Sequence, residues 1–149
     1  SRWLVPIALL AIAITTPFAL RSAHSLSTRL PADVERDWAE LAKHIPPGAK
    51  VVASWGATDA YVFFAPQGRY LNVLDPAMMF EKNPRAYWTH RAVLDGTEPD
   101  LARVTKTILD SDYIAFPKWE ATPLLMERVS RDPHLERLYN GYHVLLRVK

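Results

Sequence analysis

Five histidines, His24, His44, His90, His134 and His143, are the side chains of this chain best suited to metal or acid–base work. No two of them fall at the i, i+4 spacing that sets a pair of ligands on one helix face. The chain has no cysteine, which excludes a thiolate nucleophile, a zinc–thiolate site and a disulfide framework. It carries no G-x-G-x-x-G after a strand, no Walker loop, no H-E-x-x-H and no G-x-S-x-G elbow. Five scattered glycines offer no backbone cradle for a nucleotide. Asp110-Ser111-Asp112 matches a metal-holding D-x-D, but it falls between a helix and a strand, where Asp and Ser serve turns.

What remains is a constellation defined by position. In open parallel sheets, ligands collect outside the carboxyl ends of the strands. Three strands are expected, and the residues that follow them are Ser54-Trp55, Asp75 and Lys118-Trp119, with Asp59 opening the next helix. Aromatic faces pack on the apolar faces of sugars while charged groups bond hydroxyls or phosphates, so Trp55, Asp59, Asp75, Lys118 and Trp119 are the candidate binding residues. The same residues fit plainer roles: Trp55 and Trp119 can cover the sheet end or meet a membrane surface, Asp59 and Asp75 can cap helices, and Lys118 can be solvated. No catalytic residue and no metal ligand is assigned.

The elements that would position these residues follow from periodicity. Val34, Trp38, Leu41, Ala42 and Ile45 recur at helical spacing behind Asp33, an N-cap candidate, and Pro46-Pro47-Gly48 stops that helix. Lys50 to Ala53 reads as a buried strand, Thr58 to Phe64 as a short helix and Arg69 to Leu74 as a second strand. Met78 to Leu94 is helical and bent or broken at Pro84, Pro99 to Leu109 is helical, Tyr113 to Phe116 is the third strand, and Thr122-Pro123 opens a helix through Val129. Leu135 to Tyr139 and Tyr142 to Val148 flank Asn140-Gly141, which predicts a type I′ hairpin with positive φ at both central residues. This order predicts an α/β domain: a small Rossmann-like three-layer sandwich, mostly parallel, with the hairpin at one edge.

Ahead of that domain, Trp3 to Leu20 carries no charge and is long enough as a helix to cross a bilayer. A signal peptide fits less well: the run is long, Leu20 to His24 is a poor cleavage site, and the chain opens Ser1-Arg2 without Met. The expected organisation is a transmembrane helix over residues 1–21, a linker over 22–32 and a soluble α/β domain over 33–149, the span being the last of a longer membrane protein. The formal charge of +2 does not signal nucleic acid. Arg2, Arg21 and Arg29 flank the apolar run, which leaves fifteen Lys and Arg against sixteen Asp and Glu beyond it, with no basic stripe for a phosphate backbone. The flanking arginines suit lipid head groups, and no Asn-x-Ser/Thr acceptor occurs.

A membrane span leading through a short linker into WAELAKHIPPGAKVVA, then RYLNVLDP and a closing YHVLLRV strand, resembles the carboxy-terminal extracytoplasmic domain of multi-spanning type C glycosyltransferases. That resemblance implies a parent that uses a polyprenyl-phosphate sugar, with catalytic acidic residues in an early loop outside this sequence. No catalytic residue or cofactor is therefore carried over. The implied partners are the bilayer, the remaining spans and a glycan or lipid-linked acceptor; the implied role is to shape acceptor or lipid-linked sugar access. The alternative is a singly anchored small-ligand-binding or sensor module with its own ligand at the strand ends.

Overall fold

The computed structural model describes residues 31–71 and 76–149. The expected span and most of the linker, and Asp75 with the last residues of the expected second strand, lie outside the described residues. Among those described, no helix is long and apolar enough to cross a membrane. The chain divides into two compact units after Ala32, and the second, Asp33–Lys149, is the α/β domain.

Its elements run α1 (Ala32–Lys43), β1 (Lys50–Ala53), a 3-10 turn (Trp55–Ala57), α2 (Thr58–Phe64), β2 (Arg69–Tyr70), α3 (Pro76–Lys82), α4 (Pro84–Asp95), α5 (Leu101–Thr107), β3 (Tyr113–Pro117), α6 (Pro123–Arg131), β4 (Leu135–Asn140) and β5 (His143–Val148). The sheet order is β2-β1-β3-β5-β4. β1 runs parallel to β2 and β3, with Val52 opposite Ile114, whereas β5 is antiparallel to both β3 and β4. The sheet is therefore mixed rather than mostly parallel, with two parallel and two antiparallel pairings among the described residues, because the hairpin that closes one edge enters it through an antiparallel β5.

Strand alternation sends side chains into two apolar clusters. Val52, Ile114, Phe116, Val144 and Leu146 pack with α4, α5 and α6 through Val93, Val104 and Leu125. Val51, Ala53, Ala115 and Leu145 pack with α1 and α2 through Trp38, Leu41 and Tyr61. The stripe read in α1 is the buried one: Trp38, Leu41 and Ile45 are all at most 5 % exposed. Where α1 ends, Gln67 Nε2 donates to Ala42 O in the last turn and to Ile45 O just beyond the helix, at 2.7 and 3.1 Å.

Capping chemistry sets the remaining boundaries. Pro84 ends one helix and begins another: Asn83 Oδ1 accepts from Ala86 N, and Pro84 occupies the first turn of α4, where its missing N–H costs nothing. Thr122 Oγ1 accepts from Leu125 N and donates to Asp95 O at 2.8 Å, joining the end of α4 to the start of α6. Gly96 closes α4 at φ 75°, lying against the Leu125 backbone with no room for a Cβ. Asp33, expected as the cap of α1, stands instead inside its first turn, and its Oδ2 accepts from the Tyr142 hydroxyl.

The hairpin forms where expected but not as a type I′ turn. Neither Asn140 nor Gly141 has positive φ; only Gly48, Gly96 and Asp110 do among the described residues. Asn140 still pairs with Val144, and the chain turns through Gly141-Tyr142. The glycine is required by space: a Cβ there would sit 1.9 Å from Asp37 Oδ1 and 2.3 Å from the Tyr139 hydroxyl oxygen. A carboxylate from α1 thus fills the inside of the turn.

Candidate functional site

Since β2 and β3 lie on opposite sides of β1, the chain reverses its direction of winding there, and a crevice opens beyond the carboxyl ends of β1 and β3. That crevice is present, about 190 Å³ in volume, with Ser54, Trp55 and Gly56 following β1, Glu120 following β3, and Arg91 and Asp95 from α4 in its wall. Its size falls below the roughly 300–1,000 Å³ of drug-sized sites and suits a group no larger than one sugar ring.

Two polar atoms of the residues that line it are shut off from solvent and incompletely bonded. Ser54 is buried, and its backbone is held by bonds from Ser54 N to Ala115 O and from Thr58 Oγ1 to Ser54 O. Its Oγ nevertheless has no hydrogen-bond partner among the described residues, and neither has the Trp55 Nε1. The indole itself is fixed, packed on His90 at 4.2 Å and Tyr87 at 5.2 Å between ring centroids. His90 in turn donates from Nε2 to Ala53 O at 2.9 Å, tying α4 to the last residue of β1. Burial pushes the His90 pKa down to about 4, so at neutral pH the ring is uncharged, with its proton on Nε2. The Glu120 carboxylate lies over the Gly56 backbone, 2.5 Å from where a Cβ would be.

The sequence candidates separate in space. Trp55 lines the crevice. Asp59 is exposed in the first turn of α2 and is not part of the crevice wall. Lys118 donates from Nζ to Asn140 O at 3.2 Å, which assigns it to the hairpin. Trp119 is 68 % exposed and meets the His143 ring edge-on at 5.2 Å. Asp75 is outside the described residues. Glu120, Arg91 and Asp95 were not singled out from the sequence. Glu120 adjoins a candidate, whereas the i, i+4 pair Arg91–Asp95, 3.5 Å apart, reads as an ordinary solvated helix pair until α4 is known to cross the strand ends.

On the opposite face lies a second polar cluster that sequence periodicity does not reveal. Asp37 Oδ1 accepts from the Tyr139 hydroxyl at 2.6 Å and from Tyr142 N at 2.8 Å, and Oδ2 accepts from His143 Nδ1 at 2.8 Å. Burial would raise the Asp37 pKa, but hydrogen bonds from Tyr139, His143 and Tyr142 outweigh it and hold the carboxyl below its ordinary value. Burial lowers the His143 pKa, only partly offset by Asp37, so a neutral imidazole donates to a carboxylate. An Asp–His pair of this kind is half of an acid–base device. Here the His143 ring is fully buried, with Trp38 at 3.9 Å between ring centroids, and its Nε2 is sealed from solvent. The pair is a structural clamp between α1 and the hairpin. No group of His, Asp or Glu able to hold a metal occurs among the described residues.

No protein-family profile, curated protein or solved structure matches this chain.

Proposed function

We propose that this chain is the extracytoplasmic C-terminal accessory domain of a membrane glycosyltransferase, anchored by the apolar run of residues 3–20. In this reading the domain adopts Rossmann-like winding to present the strand-end crevice to the sugar of a polyprenyl-phosphate donor or a glycan acceptor, shaping its access without catalysing transfer. The observation that carries the binding role is the pair of buried atoms without a hydrogen-bond partner among the described residues, Ser54 Oγ and Trp55 Nε1, at the point where the sheet changes its direction of winding. Buried polar groups are ordinarily hydrogen-bonded, and sugar hydroxyls supply both donors and acceptors. Arg91, Asp95 and Glu120 surround them with further hydrogen-bonding groups. The apolar run and the sequence likeness to type C transferases support the membrane setting.

The test is a titration of the full chain in detergent micelles with a short-chain polyprenyl-phosphate mannose, following the Trp55 indole N–H resonance. A saturable shift that Ser54→Ala weakens is expected; an unmoved Trp55 signal at saturating lipid refutes the binding role. Immunodetection of the native protein in membranes separates the accessory domain, which predicts a mass several-fold above 16.9 kDa, from a singly anchored ligand-binding module, which predicts a mass near it.

A further inference from the structure

A separate cavity of about 520 Å³ lies between the C-terminal end of α6 and the start of α5, walled by Asp100, Glu127, Arg128, Arg131, Asp132 and His134. Most of its charges are already engaged. Asp100 caps α5 through Arg103 N and pairs with Arg103 Nε, Glu127 pairs with Arg131 at 2.7 Å, and Asp132 Oδ1 accepts from His134 N. Arg128 is the exception. It is half-buried, its Nε is shut off from solvent, and its side chain has no hydrogen bond or ion pair among the described residues. A guanidinium offers five donors in a planar fork that matches a carboxylate, and desolvating it without a partner is unfavourable.

We propose that this cavity is a binding site for the carboxylate of a small polar molecule, with Arg128 as its anchor. The three wall carboxylates set the charge of that ligand. With Asp100, Glu127 and Asp132 nearby, and Asp132 met by a backbone N–H rather than by a cation, a dianionic phosphate meets more repulsion than a single carboxylate, which needs only the Arg128 guanidinium. Each of these carboxylates keeps lone pairs beyond the bonds just named, and these can accept from hydroxyls elsewhere on the ligand, so a hydroxylated acid such as a sugar acid is the chemical class that fits. This site does not depend on the strand-end reading.

The experiment records side-chain Nε–H spectra of the full chain in micelles, labelled with 15N-arginine, during titration with sodium D-glucuronate, with D-glucose and inorganic phosphate as comparison probes. The expected result is a saturable shift of the Arg128 Nε–H signal with glucuronate at millimolar concentrations and none with glucose. Arg128→Gln weakens binding by about tenfold or more, and Arg128→Lys, which keeps the charge but loses the fork, weakens it less. Backbone spectra of both variants confirm that the fold is retained. An Arg128 signal unmoved by glucuronate, an equal response to glucose, or tighter binding of phosphate each overturns the proposal.

Discussion

His90 gives the domain an acid sensitivity whose size follows from its position. The ring is fully buried, donates from Nε2 to Ala53 O, and has its pKa lowered by burial from an ordinary 6.5 to about 4, with the bond to Ala53 O opposing the shift. Between those two values the unfolded chain binds a proton that the folded chain refuses, so stability falls as the pH drops. Each pH unit of the interval is worth about 1.4 kcal/mol, so the contribution lost is about 2 kcal/mol by pH 5 and about 3 kcal/mol by pH 4. That is a large share of the roughly 5–15 kcal/mol that holds a domain of this size together. The perturbation is His90→Gln, whose amide nitrogen reaches Ala53 O from the position of the imidazole Nε2 but does not titrate. Urea denaturation of both proteins from pH 7.5 to pH 4 gives two stability curves, and their difference isolates His90 from every other titrating group. The wild type should lose about 3 kcal/mol more than the variant. Parallel curves would show that His90 is protonated in the fold and refute the reasoning.

Three further substitutions bear on the hairpin. Gly141→Ala should destabilise by about 2–3 kcal/mol, since its Cβ would overlap Asp37 Oδ1 and Tyr139, while Asn140→Ala should stay within about 0.5 kcal/mol because that side chain has no hydrogen-bond partner among the described residues; thermal melts compare them, and equal effects would favour a turn governed by φ. Asp37→Asn should cost about 2–3 kcal/mol in urea midpoint analysis by weakening the bonds to Tyr139, Tyr142 and His143 together, and a loss below about 0.5 kcal/mol would show that the clamp contributes little.

Local chemistry made much of this fold readable. Thr122-Pro123 is a helix-start signal whose action depends on a neighbour three residues away, and it acts as its residue types require, while Pro84, read as a bend or break, separates two helices and starts the second behind the Asn83 cap. The apolar alternation of β5 likewise places Val144 and Leu146 on one face and Leu145 on the other, because a strand has only two faces. The turn between β4 and β5 was legible in place but not in mechanism. Asn-Gly signals positive φ only when the turn is governed by its own backbone, and here a carboxylate about a hundred residues away governs it. The candidate site divides along the same line. Trp55 follows directly from the end of β1, but Arg91 and Asp95 enter the crevice because α4 crosses the strand ends, a relation that no spacing within α4 records.

The bond between Asp37 and His143 joins residues 106 positions apart. It gives the domain a temporal order as well as a shape. During synthesis α1 emerges ahead of the hairpin, carrying a carboxylate whose partners Tyr139, Tyr142 and His143 are not yet made, and β5, which must lie between β3 and β4, is the last strand of the domain to follow. Contacts of such separation are slow to form, because the intervening chain must be ordered before they contribute. Until then the sheet ends at β3, an apolar strand whose open edge is a template for other chains. Arrival of the hairpin covers that edge and engages the carboxylate together, so completion of the domain is a single late event governed by its last segment.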